Sequence, residues 1–203
     1  MKHKMKLVIG EERVLAEGFE LPIWLWELLM KESKKAKENY NQELAGAITK
    51  EYNLHHIIPD VKDWFMQELK TTRVYEKKYQ EVDRMYFWDK KPTIELCDLW
   101  VNYQKKHEYN PIHNHGGVFS MVLFMSIPFT FEEEKNAPNT RLSRTQQNGC
   151  LNFHGYYDDI AVPADKTWKG KGFFFDALQY HSVYPFYTSE DYRITISGNF
   201  YLK

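Results

Sequence analysis

Cysteine is scarce in this chain of 203 residues: Cys97 and Cys150 stand far apart, and neither belongs to a CxxC pair. A disulfide framework or a thiolate metal site has no support from that count, and two reduced core thiols in a cytoplasmic protein are expected. Long apolar runs are missing too. The longest, VFSMVLFMSIPF from Val118, is too short for a membrane span and is broken by serines and a proline. The start, MKHKMKLVIGEERV, is basic, but its apolar stretch is too short for a signal-peptide core. No charge is in large excess: the formal net charge is -1, so no global field recruits nucleic acid or an acidic membrane. Neither a GxSxG motif, a glycine-rich phosphate loop nor zinc-finger spacing occurs, which removes nucleophile-elbow and P-loop chemistry from consideration. No repeat of fixed period and no low-complexity tract is visible.

What is present divides near residue 90. The length fits one domain, 1–203, with a mainly helical support over 1–90 and a β-rich core over 91–203. Pro22 opens a helix, PIWLWELLMKESKKAKE, apolar in its first half and lysine-rich in its second. A second helix begins at Pro59 and Asp60, with Asp60 as N-cap and a stripe of Val61, Trp64, Phe65 and Leu69 facing a core. NQELAGAITKEYNL between them carries no clear period. After residue 90, strands are expected near Leu99–Gln104, Val118–Pro128, Cys150–Gly155, Gly172–Ala177 and Tyr192–Leu202. Helices first and antiparallel strands afterwards predict an α+β fold, a sandwich or jelly roll with the helices packed outside one sheet.

Chemistry is concentrated in NPIHNHGG, residues 110–117. His113 and His115 are two apart, so an extended backbone sends both rings from one face, and two neutral imidazoles can share one divalent ion. His181, at the end of an apolar strand, is the natural third ligand, with a carbonyl-bonded core histidine as the competing reading. His154 is a reserve candidate, and Asp176, five residues before His181, could supply a carboxylate. On the last strand, DYRITISGNFYLK, alternation puts Arg193, Thr195, Ser197 and Asn199 on one face. A solvated outer face is one reading of it. Arginine is also the residue that grips a carboxylate with two parallel hydrogen bonds, and a nearby hydroxyl adds a third.

In their order along the chain, these parts resemble the Fe(II)/2-oxoglutarate-dependent oxygenases, which share a double-stranded β-helix (jelly-roll) fold. LWVNYQKKHEYNPIHNHGGVFSMV and GFFFDALQYHSVYPFYTSEDYRITISGNF are similar to oxygenases of phages and marine bacteria, whose first metal motif reads HxH. LAGAI near residue 45 extends the likeness weakly. The resemblance implies Fe(II) on His113, His115 and His181. It also implies 2-oxoglutarate held at its far carboxylate by Arg193 and Thr195; Asn102, Tyr103 or Ser120 are candidates to complete that shell from their position on neighbouring strands alone. The implied reaction consumes O2, with ascorbate as an optional reductant, and hydroxylates an unidentified prime substrate with release of succinate and CO2. A phage-encoded copy would act in the host cytoplasm. His115 departs from the wider superfamily, which has a carboxylate there, so the ligand set is uncharged and zinc competes for it. Two other readings stand beside this one. One is a metal-binding jelly-roll module without turnover. The other is a three-histidine hydrolase or cupin-like enzyme that does not use 2-oxoglutarate, although Phe119 and Ser120 stand where a cupin places its glutamate. Loops 132–148 and 156–171 are the expected lid, and Trp168 with Tyr156 and Tyr157 either lines its mouth or anchors it. The N-terminal helices offer apolar surface that a homodimer would cover.

Overall fold

The computed structural model describes residues 6–9, 13–85, 92–138, 145–155 and 159–203. Among the described residues eleven strands form two antiparallel sheets. The larger contains β1 (Lys6–Ile9), β2 (Arg13–Glu20), β3 (Lys50–Asn53), β4 (Ile94–Gln104), β6 (Phe119–Ser126), β9 (Lys171–Asp176) and β11 (Arg193–Leu202). Their spatial order is β1-β2-β9-β6-β11-β4-β3. The smaller contains β5 (Asn110–His113), β7 (Leu151–His154), β8 (Asp159–Val162) and β10 (His181–Val183), in the order β5-β10-β7-β8.

Three helices of equal length, α1 (Ile23–Lys35), α2 (Ile58–Lys70) and α3 (Arg73–Met85), cover the outer face of the large sheet. A short α4 (Phe131–Lys135) follows β6 and opens with a capping box in which Thr130 and Glu133 exchange hydrogen bonds. Strand alternation sorts the side chains into two cores. Phe174 on β9 joins Leu25, Leu29, Val61, Phe65 and Leu69 of the helices on the outer side. Its neighbours Phe173 and Phe175 point the other way, between the sheets, and meet Phe124, Leu151, Phe153 and Phe186. This is the expected α+β jelly roll with helices outside one sheet, and all five expected strands are present.

The N-terminal ninety residues hold strands beside the expected helices, since β1, β2 and β3 form both edges of the large sheet. Glu17 and Gly18 break the apolar pattern of β2, and its ladder partner β9 lies far along the chain. The α2 helix starts as expected, but Asp60 is not its cap. A single 3-10 turn, His55–Ile57, runs straight into the helix, so Ile57 occupies the N-cap position and Asp60 lies in the first turn. There its charge complements the helix dipole without capping a backbone N–H. The α3 helix was not anticipated, since YEKKYQEVDR offers little apolar content. Both cysteines are free thiols, and burial pushes the Cys150 thiol up to about 11. Among the described residues no helix is long and apolar enough to cross a membrane.

Candidate metal centre and co-substrate cavity

The smaller sheet brings the histidines together. His113 ends β5 and is paired directly with His181, which starts β10. His115 lies two residues past β5, and its backbone N–H donates to the Ala177 carbonyl at 2.8 Å. Gly117 makes that turn possible: it adopts φ +93, and a Cβ there would lie 2.6 Å from the Phe200 carbonyl oxygen. The glycines of NPIHNHGG therefore let the chain leave the small sheet and enter β6 directly above the histidines.

One nitrogen from each of the three rings falls within 4.8 Å of the others. Ring centroids are 4.2 Å apart for His113 and His181, and 5.0 Å for each of the other two pairs. The Nδ1 of His113 lies 2.7 Å from the Pro111 carbonyl, and that of His181 lies 3.0 Å from the Gln179 carbonyl. Because a carbonyl only accepts, each Nδ1 carries the proton and each Nε2 offers its lone pair. The Nε2 atoms of His115 and His181 are 3.2 Å apart. Burial holds all three rings neutral: it pushes His115 down to about 3 and His181 well below the usual range, and lowers His113 as well. Three neutral imidazoles presenting lone pairs to one point suit a first-row divalent cation, so the donor set fits iron.

The two reserve ligands are occupied elsewhere. Asp176 makes an ion pair with Lys78 at 2.7 Å and accepts the Leu178 N–H at 2.9 Å. His154 bonds Ser182 at 2.9 Å and Asp159 at 3.1 Å.

A cavity between the sheets runs from His113 and His181 to Arg193, with Asn102, Thr195, Ser197, Phe124 and Phe175 from the large sheet and Leu151 and Val183 from the small one. Arg193 is 2% exposed. Its guanidinium donates from Nε to Gln104 Oε1 at 2.9 Å, from Nη2 to the same oxygen, and from Nη1 to the Gly149 carbonyl at 2.7 Å. These acceptors are neutral. Glu134 acts on Arg193 from a distance, and its carboxylate accepts instead from the backbone N–H groups of Tyr187 and Thr188. A buried guanidinium with spare N–H groups and only neutral partners fits a carboxylate ligand.

Alternation on β4 and β11 decides the remaining candidates. Asn102 faces the cavity, and its Nδ2 donates to Thr195 Oγ1 at 3.1 Å and reaches Ser197 Oγ at 3.5 Å. Tyr103 faces the opposite way, packed with Tyr52 and Tyr192 on the helix side, and does not reach the cavity. Ser120 lies on the inner face but is spent: its hydroxyl donates to Asn199 Oδ1 at 2.8 Å, and it does not line the cavity. Trp168 packs on Phe124 and Phe173, each at 5.7 Å, and so anchors its loop. Tyr156 and Tyr157, with part of each expected lid loop, lie outside the described residues. Gln104 and Glu51, both buried and both lining the cavity, were not anticipated. Period two from Asn102 would have found Gln104. Glu51 sits in KEYN, which carries no sequence signal of a site.

Residues 98–199 match a protein-family model described as "Putative 2OG-Fe(II) oxygenase". A crystal structure of a Pseudomonas putida prolyl-4-hydroxylase superposes with TM-score 0.50 at 14% identity, over 90% of this chain and 90% of that one. An oxidoreductase of the 2OG-Fe(II) oxygenase family from Burkholderia pseudomallei gives TM-score 0.48 at 9% identity, over 91% of this chain and 85% of that one. The first likeness establishes a shared fold. No curated protein matches the chain. With half of its length under that family model, including the HxH motif, the distal histidine and the arginine strand, the chain belongs to the 2OG-Fe(II) oxygenase family.

Proposed function

We propose that this oxygenase holds Fe(II) on the Nε2 atoms of His113, His115 and His181 and grips the far carboxylate of 2-oxoglutarate with Arg193 and Thr195. Bound there, iron and 2-oxoglutarate supply the oxidation: O2 is consumed, 2-oxoglutarate leaves as succinate and CO2, and one oxygen atom enters a C–H bond of the prime substrate. The observation that carries this reading is one cavity that begins at His113 and His181, two members of a cluster of three imidazoles, and ends at a buried guanidinium.

Each residue contributes a definable property. The carbonyls of Pro111 and Gln179 fix the tautomers of His113 and His181, so the ligands are ready before metal arrives. Gln104 and the Gly149 carbonyl hold the Arg193 fork in one orientation, which lowers the entropy lost on binding an anion. Because Asn102 donates to Thr195, the threonine proton is free to point at a ligand oxygen. Phe124, Leu151, Phe175 and Val183 keep water from that end and strengthen the charge pairing there. Three neutral imidazoles leave a divalent ion at its full charge; one carboxylate of 2-oxoglutarate would offset part of it while the other pairs with Arg193, so ion, co-substrate and arginine together keep one net positive charge. The absence of cysteine pairing suits a reducing cytoplasm, the host's if the gene is phage-borne.

The test is succinate release. Protein loaded with Fe(II) and ascorbate should convert 2-oxoglutarate to succinate under air even without a prime substrate, and His181→Ala should reduce this to background. Iron-loaded protein that never forms succinate would contradict the proposal.

A further inference from the structure

Glu51 stands out among the buried carboxylates. Glu134 takes backbone N–H groups on both oxygens together with the Thr188 hydroxyl, and Glu17 accepts the Arg73 N–H at 2.6 Å. Glu134 is a satisfied structural group, and Glu17 lies outside the cavity. Glu51 is 1% exposed, lines the same cavity as the histidines, and receives one hydrogen bond, from Asn41 Nδ2 to Oε2 at 3.1 Å. No described cation pairs with it, and Glu108 adds like charge nearby. Burial and Glu108 push its carboxyl up to about 7.

Its surroundings are acceptors. Asn110 Oδ1 and Asn102 Oδ1 are buried without a donor, and both residues line the cavity. Asn102 is the direct cross-strand partner of Glu51, and Thr195 is the partner of Asn102 on its other side. The carboxyl therefore lies one strand beyond the proposed 2-oxoglutarate site. Gly46 closes this end: a Cβ there would lie 2.2 Å from Asn110 Oδ1 and 3.0 Å from Glu51 Oε1. Only a residue without a side chain leaves both oxygens where they are.

We propose that Glu51, Asn110 and the Gly46 turn form the prime-substrate subsite and receive an organic cation, an ammonium or guanidinium group. The assignment rests on reading the cavity as the iron and 2-oxoglutarate site. Such a cation supplies what this corner lacks, several N–H donors and a positive charge.

The experiment is calorimetric titration of the oxygen-free Fe(II) and 2-oxoglutarate complex with Nα-acetyl-lysine amide and Nα-acetyl-arginine amide. Their neutral counterparts, Nα-acetyl-norleucine amide and Nα-acetyl-citrulline amide, are titrated in parallel. At least one cation should bind about tenfold more tightly than its counterpart, the scale of a charge-assisted hydrogen bond. Glu51→Gln and Gly46→Ala should each erase that preference while 2-oxoglutarate still binds. If neither cation is preferred by wild-type protein, the corner holds water only and the proposal is overturned, whatever the variants do. An undiminished preference in Glu51→Gln would overturn it equally. Failure of the complex itself to form would show instead that the reading of the cavity is wrong, and the subsite would fall with it.

Discussion

The two faces of the large sheet are built from the same strands but do different work. On the outer face, Leu99, Val101, Met121, Leu123, Phe174 and Ile196 meet helical Leu25, Val61, Phe65 and Leu69 in a mainly apolar contact, with the Glu17–Arg73 and Lys78–Asp176 contacts to α3 as polar exceptions. On the inner face, residues one step along the same strands are Asn102, Gln104, Thr195, Ser197 and Arg193. The outer face contributes stability without chemistry. The inner face keeps buried polar groups whose partners are incomplete, at a cost in stability that a functional site tolerates. Substitutions should therefore separate cleanly: outer ones should change folding, inner ones ligand binding.

The largest effect is expected at the metal end. His181→Ala removes one of three ligands and should weaken Fe(II) binding at least about 100-fold, more than loss of a supporting hydrogen bond, as read by competition with a chelating dye. Next comes the outer face: Phe65→Ala should destabilise by about 3–5 kcal/mol in urea titration, while the folded fraction binds 2-oxoglutarate normally. Equal loss of binding in that variant would break the separation. Arg193→Met should cost about 3 kcal/mol of 2-oxoglutarate affinity, the scale of a charged hydrogen-bonded pair, with metal affinity unchanged.

Glu51 gives a pH signature in the ligand-free protein. Its folded value, about 7, lies above the usual carboxylate value of 4.5. Below that usual value both states are protonated and no difference arises. As pH rises from there through about 7, the unfolded chain releases the proton first, so folding stability falls. Glu51→Gln should abolish this fall and gain on the order of 2 kcal/mol at pH 8, with little change at pH 4. Urea titrations at the two pH values check it. The smallest effect belongs to the partly exposed Lys78–Asp176 pair. Lys78→Met should change stability by less than about 1 kcal/mol and leave iron binding intact, whereas a large loss of iron would restore Asp176 as a ligand.

The same two faces explain how much of the molecule was legible in the sequence. Period-two patterning found the five core strands and placed Arg193, Thr195 and Ser197 on a common face, since alternation is local. It did not say which face was inward, so Tyr103 was grouped with Asn102 although adjacent strand residues must oppose each other. Strands β2 and β3 are not legible because their pairing with β9 and β4 is set by distant partners rather than by their own apolar content, while β1 is a four-residue edge strand paired with β2 alone. The three histidines were legible because spacing in HxH survives folding. Glu51 and Gln104 were not: one buried glutamate in a short edge strand looks like any solvated one until its neighbours are known. Asp176 shows the reverse, being near His181 in sequence yet captured by Lys78 from α3, a helix the sequence pattern did not reveal.

The central claim, that one cavity joins a three-histidine iron site to a carboxylate-binding arginine, is tested most directly by the visible spectrum of the oxygen-free protein with Fe(II) and 2-oxoglutarate. The account predicts a weak metal-to-ligand absorption band in wild-type protein. In Arg193→Met the band should reappear only at far higher 2-oxoglutarate concentration, and in His181→Ala it should be absent. Iron-loaded wild-type protein without any band, or Arg193→Met titrating like wild type, would contradict it.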